Sequence, residues 1–300
     1  MSETSFTESS ITRECPWRSL LFIPATSERF LAKAHTRGAD AIILDLEDAI
    51  APSEKDAARA ALGNAIEALA AKDLALCVRI NRPLEMAVPD IEAAVGPHTQ
   101  ALMLPKVIGA EHIQLLHELV EVRERATGIP VGSTRLIAVV ETAAALPNLF
   151  SIAHAHPRVM ALGLGNEDLC AELQAEPGGD SLYPFAMQVV AAARAAGITP
   201  FGVVGEFAGF SDPEGYRNGL RRSRRLGFSS TACIHPSQVA AINEEYGVSE
   251  DEIAYAKGLL AAFEQALRDG DGAVAYEGKM VDLPVAERAR ALLRRAREHV

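Results

Sequence analysis

Leu136-Ile137-Ala138-Val139-Val140-Glu141 is the stretch on which the reading of this chain turns. Five apolar residues run straight into a carboxylate. One βα unit further on, Val159-Met160-Ala161-Leu162-Gly163-Leu164-Gly165 leads into Asn166-Glu167-Asp168. Runs of this length, rich in Val, Ile and Leu and bounded by turn residues, read as strands buried on both faces. An acid at the carboxyl end of such a strand adds nothing to stability. Two acids on neighbouring parallel strands stand at the same end of the sheet, where they repel unless a positive charge lies between them. Glu141 and Asp168 are therefore the candidate ligands of a hard divalent cation, Mg2+ with Mn2+ as a possible substitute.

The same alternation extends in both directions. Strands are predicted over residues 19–24, 41–46, 74–80, 101–104, 136–140, 159–164, 198–204 and 230–234. Helical segments separate them, among them one over 27–36 capped by Ser27 and a short one over 89–95. Eight strand–helix units over about 225 residues fit a closed (β/α)8 TIM barrel, with an open doubly wound sheet as the alternative. Residues 249–300 read as helix, Gly-rich connection and helix without a strand partner. The predicted organisation is a disordered tail over 1–16, a catalytic barrel over 17–248, and a helical C-terminal extension over 249–300 that reaches a site or a subunit interface.

Composition limits the function. The chain has 300 residues, 49% of them hydrophobic and 23% charged, which suits a globular protein with a substantial core. Its net charge of -11 argues against a nucleic-acid surface. No apolar stretch approaches a membrane span, and no signal-peptide core opens the chain. Cys15, Cys77, Cys170 and Cys233 are widely spaced and form no C-x-x-C pair, which points to reduced thiols and a cytoplasmic protein.

In a barrel, the chemistry stands at the carboxyl ends of the strands. The second strand ends in Asp45-Leu46-Glu47-Asp48, the third carries Arg79 and Asn81 at alternate positions, and the fourth ends in Pro105-Lys106. The last ends in His235-Pro236. A cation held by Glu141 and Asp168, faced by Arg79 and Lys106, suits a substrate with carboxylate and carbonyl oxygens. Arg79 is placed to stabilise an enolate formed when a C–C bond beside a carbonyl breaks. The plainer readings are that Arg79 pairs with Asp45 or Glu47, that Lys106 is a solvated turn residue, and that Asp48 caps a helix. His235 reads as a loop histidine, and the run Arg221-Arg222-Ser223-Arg224-Arg225 as a solvated helix face.

An ordered set of motifs resembles the citrate lyase beta subunit-like family of the HpcH/HpaI aldolase superfamily. It comprises Arg18-Ser19-Leu20-Leu21-Phe22-Ile23-Pro24, Ile43-Leu44-Asp45-Leu46-Glu47-Asp48, Val78-Arg79-Ile80-Asn81, Leu104-Pro105-Lys106, Glu141-Thr142, Gly165-Asn166-Glu167-Asp168 and Cys233-Ile234-His235-Pro236. The resemblance implies a TIM barrel forming trimers or hexamers, with Mg2+ on Glu141 and Asp168. It implies Arg79 and Glu47 as catalytic residues and Arg18, Arg79, Asn81 and Lys106 as substrate contacts. Gly278-Lys279-Met280-Val281-Asp282 resembles a motif of the malyl-CoA and citramalyl-CoA lyase branch, which makes Asp282 a further catalytic candidate, acting in its own or a neighbouring subunit. Strand 7 departs from the family pattern, with Pro200-Phe201-Gly202 in place of Ile-Asp-Gly, followed by a long apolar stretch over 204–210.

The expected function is Mg2+-dependent cleavage or formation of a C–C bond in a 3-hydroxyacyl-CoA thioester such as malyl-, citramalyl- or citryl-CoA. The products are acetyl-CoA and a keto acid or glyoxylate. The expected partners are an acyl-CoA thioester, a small keto acid and further copies of the chain, with neither nucleic acid nor membrane. Two rivals stand beside it: a metal-dependent pyruvate aldolase acting on free hydroxy-keto acids, and a non-catalytic subunit that binds an acyl-CoA or keto acid.

Overall fold

The computed structural model describes residues 13–176, 180–205 and 211–298. Its main sheet contains β1 (Ser19–Pro24), β2 (Ala41–Asp45), β3 (Ala75–Arg79), β4 (Ala101–Leu104), β5 (Arg135–Val140), β6 (Val159–Leu164), β7 (Thr199–Phe201) and β8 (Thr231–Cys233). The strands pair in the order β7-β6-β5-β4-β3-β2-β1-β8, every pair parallel. A parallel bridge between Phe201 and Ser230 joins the two ends of this series, and the Gly202 N–H donates to the Ser230 carbonyl at 2.8 Å. Gly202 has φ +137, a conformation that only glycine adopts without strain. The Tyr246 hydroxyl donates to its carbonyl at 2.7 Å. The expected closed barrel is present, and the open sheet is not.

Successive strand residues face opposite ways, so the strands bury two apolar layers. Leu20, Ile43, Cys77, Met103, Ile137 and Phe201 fill the barrel interior, with Cys15 and Trp17 packed among them. Leu44, Leu76, Val78, Leu102, Ala138 and Leu162 face outward into the larger cluster beneath the helices. Those helices are α1 (Glu28–Leu31), α2 (Lys55–Ala70), α3 (Leu84–Ala94), α4 (Ala110–Thr127), α5 (Leu149–Ala153), α6 (Asn166–Leu173), α7 (Tyr183–Ala195), α8 (Pro213–Leu226) and α9 (Pro236–Tyr246).

Several local expectations change. The single helix over 27–36 is broken into α1 and a 3-10 turn at Ala34–Thr36, and the Ser27 side chain makes no capping bond. The helix expected over 89–95 starts earlier, at Leu84, with Pro89 inside it. Burial of Ala87, Ile91 and Ala94 on one face outweighs the one intrahelical bond that Pro89 cannot make. The stretch after β6 forms α6, so Asp168 stands on a first helical turn instead of a strand end. Of the expected tail over 1–16, residues 1–12 lie outside the described residues, and Cys15 is buried with its N–H donating to Thr199 Oγ1 at 2.8 Å. The apolar stretch after strand 7 lies in part, at 206–210, outside the described residues.

Beyond the barrel, α10 (Glu250–Asp269) and α11 (Leu283–Glu298) flank a hairpin of β9 (Val274–Tyr276) and β10 (Lys279–Val281). The Gly-rich connection is thus a hairpin. Glu277 and Gly278 both have positive φ, the requirement of a type I′ turn. Leu259 and Phe263 of α10, Val281, and Ala286 and Ala289 of α11 form a separate small core.

Candidate active site

The carboxyl ends of the strands open into a cavity of about 930 Å³. Its lining includes Phe22, Asp45, Asp48, Arg79, Met103, Val139, Glu141, Asp168 and Phe201. The volume is at the upper end of what small-molecule clefts provide.

Arg79 ends β3. Its Nε and Nη2 donate to the two oxygens of Asp45 at 2.7 and 2.6 Å. Nη1 lies 2.9 Å from Glu47 Oε2 and 3.8 Å from Asp48 Oδ2, and the guanidinium stacks 4.6 Å above the Phe22 ring. Asp45 is itself fixed by the N–H groups of Glu47 and Ala49, at 2.9 and 3.2 Å. The pairing of Arg79 with Asp45 and Glu47 therefore exists, yet Arg79 still lines the cavity. The carboxylates hold it in place, and burial opposes its charge less than these partners favour it.

Lys106 follows β4 with φ +51, a backbone conformation costing an L-residue roughly 1–2 kcal/mol. It is no solvated turn residue. Its Nζ lies 2.7 Å from Glu47 Oε1, 3.5 Å from Asp48 Oδ1 and 3.9 Å from Asp168 Oδ1. Glu47 is buried, and that burial raises its carboxyl despite Arg79 and Lys106. Asp48 is no helix cap, since the next helical turn, at Pro52–Glu54, begins after Ala51.

Glu141 directly follows β5 and is 6% exposed. Its Oε2 is buried and accepts no hydrogen bond. Burial first, then the charges of Glu47 and Asp168, push its carboxyl up to about 8, with Lys106 and Arg79 acting in the opposite sense. Asp168 is about half exposed, with Lys106 at the edge of ion-pair range of its Oδ1, so its carboxylate is accessible to water or ligand. Among the described residues no three His, Cys, Asp or Glu side chains form a closed metal cage. Two carboxylates, one with an unsatisfied buried oxygen and the other open to solvent, fit a cation such as Mg2+. That ion commonly takes one or two protein carboxylates and fills its remaining positions with water and substrate.

Other expected positions fall elsewhere. Arg18 precedes β1, at the opposite end of the barrel, and its Nε and Nη2 are bound to Asp40 at 2.9 and 2.8 Å. Arg18 therefore does not line the cavity of its own chain. Asn81 does not line the cavity: its Nδ2 donates to Leu46 O at 3.0 Å and to Asp90 Oδ2 at 2.7 Å. Two residues past the end of β3, the alternation that predicts a shared face no longer applies. Asp282 caps α11, accepting from the Val285 N–H at 3.2 Å, and is not among the residues lining its own chain's cavity. His235 accepts from the Ser237 N–H at 3.2 Å and caps α9. The arginine run is ion-paired: Arg221 with Glu245, Arg222 with Asp180, and Arg224 with Glu252.

Sequence reading misses the mouth of the cavity, where Arg29, Phe30 and Arg37 join the lining. The signal was present in the basic spacing Arg29, Lys33, Arg37 just after the first strand. All four cysteines are buried and free. Among the described residues no helix is long and apolar enough to cross a membrane.

Comparison with known proteins agrees with this architecture. The pattern of the HpcH/HpaI aldolase/citrate lyase family matches residues 18–236. The citrate lyase subunit beta of Leuconostoc mesenteroides subsp. cremoris is 34% identical over 282 residues, 93% of each chain. A (3S)-malyl-CoA thioesterase of Cereibacter sphaeroides is 37% identical over 273 residues, 89% of this chain and 90% of its own. Among solved structures, Mycobacterium tuberculosis CitE in complex with magnesium, acetoacetate and coenzyme A superposes with a TM-score of 0.71 at 32% identity, covering 93% of this chain and 97% of its own. With the barrel closed and the family pattern running from its first strand to its last, the chain belongs to the HpcH/HpaI aldolase/citrate lyase family.

Proposed function

We propose that the protein is a Mg2+-dependent carbon–carbon lyase acting on a 3-hydroxyacyl-CoA thioester, releasing acetyl-CoA and a keto acid or glyoxylate. The observation that carries this reading is the unpartnered buried oxygen of Glu141, facing a cavity that also holds Asp168 and Arg79. Glu141 and Asp168 would hold the cation, which polarises the substrate's carboxylate and hydroxyl oxygens when bound.

The chain's own groups supply the rest. A Glu47 oxygen, oriented by Lys106 and Arg79, takes the proton of the 3-hydroxyl. The oxygen's electron pair closes the carbonyl of the departing keto acid as the C–C bond breaks. The pair from that bond passes into the thioester enolate, whose oxygen Arg79 stabilises. Asp282 of a neighbouring subunit returns a proton to the enolate carbon, giving acetyl-CoA, in a homotrimer or hexamer. Arg29 and Arg37 at the mouth suit the phosphates of coenzyme A, and Phe30 beside them offers a ring for stacking. The free cysteines fit a cytoplasmic enzyme.

The test is incubation with Mg2+ and malyl-, citramalyl- and citryl-CoA. Equal amounts of acetyl-CoA and keto acid are expected from at least one of them, lost with EDTA and restored by Mg2+. Free coenzyme A with intact hydroxy acid would instead make the protein a thioesterase. Equal cleavage of the free hydroxy acids would make it an aldolase.

A further inference from the structure

Two glycines alternate along the end of β6, Gly163 within the strand and Gly165 just past it. A Cβ at 163 would lie 2.6 Å from the Phe201 carbonyl oxygen and 2.9 Å from Cδ1 of its ring. A Cβ at 165 would overlap the Glu141 carboxylate. The register pairs Val139 of β5 with Gly163, and Gly163 with Phe201 of β7, so these three form one row across the barrel wall. Glu141 comes two residues after Val139 and lines the same cavity, roughly 7 Å further along at strand spacing.

The Phe201 ring thus covers the bare wall at Gly163, one row below the Glu141 carboxylate. Phe201, Val139 and Met103 belong to the interior cluster, with Phe22 packed against it, and all four line the cavity. No cation serves this floor. Among the described residues the Arg and Lys side chains in the lining are Arg29 and Arg37, at the mouth, and Arg79. Arg79 is bound to Asp45 and Glu47, and Lys106 to Glu47. A carboxylate lowered onto the floor would lose its water and gain no partner.

The hydroxyl-bearing carbon of the substrate has four substituents. Under the lyase reading above, on which this inference rests, its hydroxyl and carboxylate face the cation, and its methylene runs through the thioester to the mouth. The fourth group is left facing the floor. We propose that Phe201 and Val139 select that group and admit only an uncharged alkyl chain. The keto acid released is then a short 2-oxo monocarboxylic acid, of the class of pyruvate and 2-oxobutyrate, and oxaloacetate is rejected. Phe201 determines this specificity because its ring sets the depth of the floor, and Gly163 makes room for the ring.

The experiment is calorimetry of the full-length protein at saturating Mg2+ with pyruvate, 2-oxobutyrate, 2-oxohexanoate and oxaloacetate. It is paired with rates of condensation with acetyl-CoA, the reverse of the cleavage. 2-Oxobutyrate and oxaloacetate have equal carbon counts and differ by a methyl against a carboxylate. 2-Oxobutyrate should bind more tightly by about tenfold or more, the scale on which an apolar pocket discriminates. Phe201→Ala should deepen the floor and raise the affinity for 2-oxohexanoate relative to pyruvate, again by about tenfold or more. If Phe201→Ala does not fold, Phe201→Leu should move that ratio in the same direction. Binding in the predicted order without condensation supports the floor and refutes the lyase reading. Oxaloacetate bound as tightly as 2-oxobutyrate, or no keto-acid binding at all, overturns the proposal whether or not lyase activity is present. So does a variant that weakens every keto acid alike and leaves the chain-length ratio unmoved, the mark of a purely structural Phe201.

Discussion

Gly165 lies so close to Glu141 that a Cβ at position 165 would overlap the glutamate's carboxylate. The Gly165 N–H also bonds the Val140 carbonyl at 3.0 Å, which locks the end of β6 onto the end of β5. Its backbone, at φ -88 and ψ 97, is one alanine accepts. Gly165→Ala should therefore fold normally and push the Glu141 carboxylate aside. Displacing a supporting group commonly costs 10–100-fold in metal affinity or activity. A loss of that size is expected in Mg2+-dependent turnover, with Tm little changed.

Arg79→Lys keeps the positive charge but gives up the two-point contact with Asp45. The ammonium is a point charge and cannot reproduce the planar fork. A fall of about 10²–10³ in kcat is expected, the scale seen when one transition-state donor is removed. KM should change much less, because the lost contact acts on the enolate. A rise in KM with kcat intact would place Arg79 in ground-state binding.

Arg29 and Arg37 line the mouth and stand apart from the acid-rich floor. If they meet the coenzyme A phosphates, Arg29→Ala/Arg37→Ala should raise KM for the thioester about tenfold or more. Each lost charge-assisted bond is worth about 1.5–3 kcal/mol, and kcat should stay near the wild-type value. The loss should shrink at high salt, as expected for exposed charges.

The buried Glu124–Arg158 pair gives a pH prediction. Burial alone would raise the Glu124 carboxyl, but Arg158 and the N–H groups of Gly132 and Thr134 outweigh it and hold it below the usual carboxylate range. A carboxyl with a depressed folded pKa contributes stability that is present above its unfolded pKa and lost as pH falls through the folded value. Glu124→Ala should cost about 3–5 kcal/mol near pH 7, because it leaves Arg158 buried and unpaired. In urea unfolding, the wild type's advantage over Glu124→Ala should shrink as pH drops below about 4. An advantage that stays constant down to pH 3 would show that the pair does not titrate this way.

Asp282 tests the role of the assembly. In its own chain it caps α11. Mixed oligomers of Glu141→Ala and Asp282→Ala chains, each inactive alone, should regain part of the activity if the aspartate acts across subunits. Catalysis within one chain predicts no recovery.

The sequence made the barrel legible because parallel strands are apolar on both faces and stand out as continuous runs, such as 41–46 and 136–140. Glu141 was legible for the same reason: a carboxylate ending an apolar run has no packing role. Other positions were not readable this way. Arg18 and Arg79 both carry a guanidinium beside an apolar strand, and only strand direction puts them at opposite ends. Asn81 shares parity with Arg79 on paper, but β3 ends at Arg79 and the chain turns Asn81 toward Asp90. The hairpin of β9 and β10 was hidden because three-residue strands in a Gly-rich stretch show no periodicity, although Glu277-Gly278 carried the turn signal.

The central claim is that Glu141 and Asp168 hold the divalent cation on which the lyase depends. Electron paramagnetic resonance with Mn2+ measures this directly on the wild type, Glu141→Gln and Asp168→Asn. The account predicts one Mn2+ per chain in the wild type, displaced by excess Mg2+, and affinity at least tenfold weaker in each variant. Undiminished Mn2+ binding in both variants would contradict it.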